Sequence, residues 1–105
     1  MVILKINVDG STEVKDIPNE LSALQAEVGG YIEEVRIFAD DDIAVIVNEE
    51  GLILGLEPNK ALAGIYGAIL IVGVDGEEFC SLPKDKLNAL LRIFEKNNMK
   101  EGRKK

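Results

Sequence analysis

The stretch Ala68-Ile-Leu-Ile-Val-Gly-Val-Asp-Gly-Glu-Glu-Phe-Cys-Ser-Leu82 reads as a strand, a tight turn and a returning strand. Ala68 to Val74 is the most apolar strand candidate in the chain. Asp75-Gly76 supplies the residue types that tolerate the positive φ of a two-residue hairpin turn, and Glu77 to Leu82 is the partner. Pro83 suits the first position of a helix, where its missing N–H costs nothing. Leu87, Leu90, Leu91 and Phe94 then recur at helical spacing, which predicts a terminal helix from Lys84 to Asn97 with one apolar face. Such a helix has to cover a sheet.

Upstream the same grammar repeats. Val2, Leu4, Ile6 and Val8 alternate with Ile3, Lys5, Asn7 and Asp9, and after Asp9-Gly10 a second alternating run from Thr12 to Ile17 completes an N-terminal hairpin. Pro18-Asn19 ends it. Leu21, Leu24, Gln25 and Val28 lie at helical spacing before Gly29-Gly30, a C-terminal stop. Tyr31 to Phe38 reads as a strand, Asp40-Asp41-Asp42 as a charged turn, and Ile43 to Val47 with Leu52 to Leu56 as a further hairpin about Asn48-Glu49-Glu50-Gly51. Pro58-Asn59 opens a short helix over Lys60 to Tyr66, with Asn59 as its cap. The expected fold is α+β: residues 1–98 form a single domain with a mainly antiparallel sheet of five to seven strands. About three short helices pack against it, in the order ββαβββαββα.

Composition narrows the chemistry. The 105 residues include no His and no Trp, one Cys, and a formal charge of -7. Without histidine the easiest routes to proton shuttling and zinc ligation are gone, and the expectation is a protein that is not an enzyme and carries no cofactor or metal. Cys80 has no His to activate it and no second Cys to pair with, so it reads as a small buried hydrophobe in a reducing compartment. No apolar run approaches a membrane span and the N-terminus lacks a signal-peptide pattern, which gives a cytoplasmic expectation. Residues 1–95 hold 18 acidic and 7 basic side chains, whereas residues 96–105 hold 5 basic and 1 acidic. An acidic body disfavours direct nucleic-acid binding and would attract a protein partner with a basic groove, although solubility alone is the plainer explanation of the charge. The basic tail, residues 99–105, is expected to be disordered.

Four motifs in order, Val28-Gly-Gly-Tyr-Ile-Glu33, Asn48-Glu-Glu-Gly51, Gly55-Leu-Glu-Pro-Asn59 and Val72-Gly-Val-Asp-Gly-Glu-Glu-Phe79, resemble a family of small domains of unknown function from phages, conjugative elements and their bacterial hosts. The likeness spans roughly residues 1–82. It departs from the family pattern at Leu56-Glu57-Pro58, where Glu57 lengthens the more common Leu-Pro-x-Asn arrangement. The resemblance implies a genetic setting, since accessory proteins of mobile elements often inhibit host defence enzymes, CRISPR nucleases among them, and some such anti-CRISPR proteins are acidic.

Each motif has a structural reading beside the functional one. Gly29-Gly30 follows a helix, whereas a phosphate-cradling loop precedes one. The carboxylate clusters lack the alternating oxygen-ligand spacing of a calcium loop, and each reads as a solvated turn. Collectively, Asp40, Asp41, Asp42, Glu49 and Glu50, with Asn59, are the candidate protein-binding residues. The leading expectation is a non-enzymatic inhibitor that occludes the basic channel of a host nucleic-acid-handling enzyme. The alternatives are a small-ligand or nucleotide-binding module using the Asn48 to Asn59 region with Tyr66, and a divalent-metal hydrolase.

Overall fold

A computed structural model describes residues 1–102, with side chains through residue 95. Six strands and two helices follow one another as β1 (Val2–Ile6), β2 (Thr12–Asp16), α1 (Leu21–Val28), β3 (Ile32–Val35), β4 (Ile43–Asn48), β5 (Ile69–Asp75), β6 (Glu78–Cys80) and α2 (Lys84–Gly102). The strands form a single sheet in the order β2-β1-β5-β4-β3, with β6 beside the far end of β5. Every pairing is antiparallel. The terminal helix expected over Lys84 to Asn97 runs on to Gly102, so residues 99–102 of the tail expected to be disordered are helical, and residues 103–105 lie outside the described residues.

The two central strands explain their own sequences. β4 is buried at all six positions and β5 through Gly73, because helices cover both faces of the sheet. Strands covered on both faces become continuous apolar runs instead of alternating ones. On one face Leu4, Ile6, Val45, Val47, Ile69 and Ile71 pack with Leu90 and Phe94 of α2, while Leu87 and Leu91 are partly buried around them. On the other, Ile3, Ala44, Ile46, Leu70 and Val72 pack with Leu24 and Val28 of α1. Gly29, at φ +80°, ends α1 in the left-handed conformation and donates its N–H to Gln25 O at 2.8 Å.

Both outer hairpins form as expected. β1 and β2 pair from Val2↔Asp16 to Ile6↔Thr12, and Asp9 fixes the intervening turn by accepting the Ser11 amide at 2.9 Å and hydroxyl at 2.6 Å. β5 and β6 close at Asp75↔Glu78, with Gly76 at φ +66°.

Two expected elements do not form, so the order is ββαββββα. Leu52 to Leu56 is not a strand. β4 already has β3 on one side and β5 on the other, so no position beside it remains for a hairpin partner. The chain curls instead, with Leu54 N donating to Glu50 O (2.8 Å) and Leu56 N to Gly51 O (3.0 Å). Lys60 to Tyr66 is not a helix. A segment this short is marginal as a helix, and Gly64 takes φ +87° inside it. The segment folds back on itself, with Asn59 N donating to Ile65 O (2.8 Å) and a bridge between Pro58 and Tyr66. Ala61, Leu62 and Ile65 still pack on the α2-side core, which accounts for their apolar character. The strand expected over Tyr31 to Phe38 is confined to Ile32–Val35. Cys80 is free and half-buried rather than fully enclosed.

Glu27 of α1 joins the helix to the N-terminal hairpin, accepting from Lys15 Nζ at 2.8 Å and Lys5 Nζ at 3.1 Å. The hydrogen bond from Lys15, reinforced by that from Lys5, holds its carboxyl below the ordinary glutamate value of 4.5 against the opposing effect of partial burial. A carboxyl that titrates lower when folded contributes stability that is complete above the ordinary range and is lost as pH falls through the folded value. Glu27→Gln is therefore expected to lower the melting temperature at neutral pH, and the gap from the parent should close as pH falls below about 4. Melting curves at matched ionic strength check this; a gap independent of pH contradicts it.

Candidate functional site

The structure separates the acidic clusters. Asp40, Asp41 and Asp42 are exposed in the turn before β4, while Glu49 and Glu50 follow the same strand. Six extended residues lie between them, so the two groups sit about 20 Å apart at opposite ends of the sheet. Asp40 is paired with Lys86 of α2 at 3.1 Å, and this hydrogen bond holds the Lys86 ammonium above its usual range. The Asp42 carbonyl accepts from Val74 N at 2.8 Å, which places this turn beside the β5–β6 hairpin and its Asp75, Glu77 and Glu78.

Asn59 is interior. It is 4% exposed, and its side-chain amide donates to the carbonyls of Ile6 (3.2 Å), Asn7 (3.2 Å) and Gly67 (3.0 Å) while Oδ1 accepts from Ala61 N (2.9 Å). The capping bond expected from Asn59 is thus present without a helix behind it. Asn48, 5% exposed, works in the same way at the end of β4. Its Nδ2 donates to Val28 O at 3.1 Å, closing the C-terminus of α1, and its Oδ1 accepts from Glu50 N at 2.8 Å. The two asparagines satisfy backbone groups that the sheet and helix leave open.

Residues 49–68, which follow Asn48 and contain Asn59, form a long connection between β4 and β5 without regular secondary structure. It carries three consecutive exposed aliphatics: Leu52 at 68%, Ile53 at 82% and Leu54 at 55%. Gly51 seats this turn against the returning chain, since a Cβ there would stand 2.5 Å from the Tyr66 carbonyl oxygen. Glu49, Glu50 and Glu57 flank the apolar tip in sequence. Beside it lies a hollow of about 190 Å³ walled by Glu33, Val35, Glu49, Leu52 and Tyr66, among others. Asn48 and Tyr66 line this hollow, and Asn59 does not.

Residues 1–95 match a single family over nearly the whole chain. The chain belongs to DUF3846, a domain of unknown function. The DUF3846 match includes both helix-covered faces of the sheet and the whole Asn48–Asn59 region. No curated protein and no solved structure matches the chain. Among the described residues no group of three or more His, Cys, Asp or Glu is placed to hold a metal ion, and no helix is long and apolar enough to cross a membrane.

The exposed apolar tip is the feature that sequence reading misassigned. Leu52-Ile-Leu54 has the composition of a strand, and only the shortage of open strand positions turns it outward. A usable signal lay in the flanking glycines, Gly51 and Gly55, the second of which takes φ +74°.

Asn59→Ala leaves three carbonyls short of a donor and is expected to cost about 1–3 kcal/mol. Asn59→Asp replaces that donor with an acceptor facing carbonyl oxygens and should cost at least as much. Urea unfolding checks both, and loss of less than about 0.5 kcal/mol in Asn59→Ala would remove the anchoring role.

Proposed function

We propose that this DUF3846 domain is a non-enzymatic protein-binding module that docks through the Leu52-Ile53-Leu54 tip and its flanking carboxylates. One observation carries the reading: three adjacent aliphatic side chains face solvent on a turn whose own backbone is hydrogen-bonded and braced by buried asparagines. Aliphatics scattered singly over a surface need no explanation, whereas a contiguous apolar tip with a polar rim is characteristic of an interaction site. The complementary partner is a protein with an apolar cleft bordered by Lys or Arg. An anionic membrane suits the tip less well, because Glu49, Glu50 and Glu57 beside it would be repelled by acidic headgroups.

The motif likeness to proteins of phages and conjugative elements supplies a setting. Nucleic-acid-handling enzymes hold phosphate backbones in basic grooves, RNA-guided nucleases in a positively charged channel. A protein of this shape would inhibit such an enzyme by occlusion, its carboxylates taking the place of phosphates on Lys and Arg. Of the candidate residues, Glu49 and Glu50 adjoin the tip, whereas Asp40, Asp41 and Asp42 lie at the other end of β4 with Asp40 engaged by Lys86. Asn59 contributes by bracing the loop. A small-ligand role for the neighbouring hollow is the weaker reading, since about 190 Å³ is below the range of roughly 300–1,000 Å³ usual for ligand pockets.

The test is capture of a host protein on the immobilised domain at low and high salt, with three variants. Replacing Leu52, Ile53 and Leu54 together with Ser should leave the melting temperature nearly unchanged and abolish capture. Glu49→Gln with Glu50→Gln should weaken capture and flatten its salt dependence, each charge contributing about 0–1 kcal/mol. Asp40, Asp41 and Asp42 changed together to Asn should leave capture intact. Capture that survives the serine variant, or that is lost only in the Asp40–42 variant, moves the contact away from the tip.

A further inference from the structure

Among the described residues three strands pair on one side only: β2, β3 and the short β6, whose Phe79 carbonyl already accepts from Asn19 Nδ2 at 2.9 Å. β2 carries charges of both signs, and its Lys15 is already held by Glu27 at 2.8 Å. β3 pairs only with β4 among the described residues, and it alternates Ile32 and Glu34 on the α1 face with Glu33 and Val35 on the α2 face. The Tyr31 carbonyl accepts from Glu49 N at 2.8 Å, so residue 31 directs its backbone groups toward the β4 side. In an antiparallel pair that direction alternates, which turns Glu33 and Val35 inward and leaves the N–H and C=O groups of Ile32 and Glu34 pointing away from the sheet. Unpaired groups spaced two residues apart are the template for an added strand.

A hollow borders this edge strand on each face of the sheet. On the α2 face is the space of about 190 Å³ bounded by Glu33, Val35, Glu49 and Leu52. On the α1 face is one of about 370 Å³ that reaches β3 through Ile32 and is otherwise walled by Leu21, Leu24 and Phe79, with Glu20 and Glu78. Successive side chains of a strand point to opposite faces, so a strand laid along β3 would present its residues to the two hollows in turn. Charge selects the occupant. Glu33, Glu34 and Glu49 line this edge, and Arg36, just beyond it, is already turned to Glu34 (3.3 Å) and to the Ile43 carbonyl (3.4 Å). A second copy of the chain is disfavoured: the two antiparallel registers of fullest overlap set Glu33 opposite Glu33 or Glu34 opposite Glu34, and like charges directly opposite are destabilising.

We propose that the free edge of β3 binds an extended segment of a partner protein by strand addition, the segment alternating Lys or Arg toward the Glu33–Glu49 hollow with aliphatic residues toward the Leu21–Leu24–Phe79 hollow. This deepens the protein-binding reading and rests on it. Its test uses a peptide and β3 variants with the Leu52–Leu54 tip intact, so the two fail separately: loss of the tip contact alone leaves the peptide result standing, and the reverse also holds.

The probe is a short synthetic peptide alternating lysine and valine, compared with one of the same composition in which lysines and valines occupy separate blocks. The alternating peptide should slow exchange of the Ile32 and Glu34 amide hydrogens at least about tenfold, and the block peptide should not. Glu34→Pro removes one outward N–H at a position where an edge strand tolerates proline, and should weaken peptide binding by more than about tenfold with the melting temperature preserved. Glu34→Gln keeps the N–H and should cost no more than about fivefold. Methylating the peptide's own amide nitrogens that face β3 should reproduce the loss with the protein unaltered. Equal binding of both peptides, undiminished binding to Glu34→Pro, or unprotected Ile32 and Glu34 amides at saturating peptide would overturn strand addition.

Discussion

The side-chain amide of Asn59 holds the least regular part of this protein to the most regular part. It spans the ends of β1 and β5 by way of the carbonyls of Ile6, Asn7 and Gly67, and its oxygen fixes the start of the following turn at Ala61. The connection across residues 49–68 has no strand or helix of its own, so its buried polar groups must find partners singly. Lys60 N donates to Val8 O, Gly67 N donates to Glu57 O, and Glu50 N donates to Asn48 Oδ1. Connections this long without regular structure are uncommon in small domains and are usually functional. Here the result is an outward apolar turn on a braced base.

How legible the fold was depended on whether local signals and tertiary partners agreed. The Asp75-Gly76 hairpin, the Asp9-Gly10 turn, the Gly29 stop and the α2 apolar face all carry their determinants within a few residues, and all form. The Leu52 to Leu56 and Lys60 to Tyr66 segments misled for a different reason. Their residue types suit a strand and a helix, but strand formation beside β4 is decided by which neighbours already occupy it, and no local pattern reports that. The cost of turning Leu52 to Leu54 outward is therefore visible only in the folded arrangement.

The candidate site was legible in part. The Asn48–Asn59 region stood out by composition, and it does carry the apolar tip and the adjoining hollow. What the sequence obscured is the division of labour within it. Asn48 and Asn59 look like polar surface groups in a turn, yet both are buried and hydrogen-bonded, whereas the aliphatics between them are exposed. Carboxylates close to one another in number, Asp40–42 and Glu49–50, are separated in space because a whole strand runs between them. An acidic protein therefore presents two distinct acidic ends, and the Glu49–Glu50 end is the one that adjoins the three consecutive exposed aliphatics Leu52, Ile53 and Leu54.

The apolar tip is a preformed surface only if residues 51–67 are a rigid platform, which backbone ¹⁵N relaxation tests directly. Leu54, Leu56 and Gly67, whose N–H groups donate to Glu50, Gly51 and Glu57, should show order parameters near those of β4 and β5, about 0.85, in the free protein. Values below about 0.6 across this segment would mean a flexible loop, and the braced apolar tip would not exist as a preformed surface.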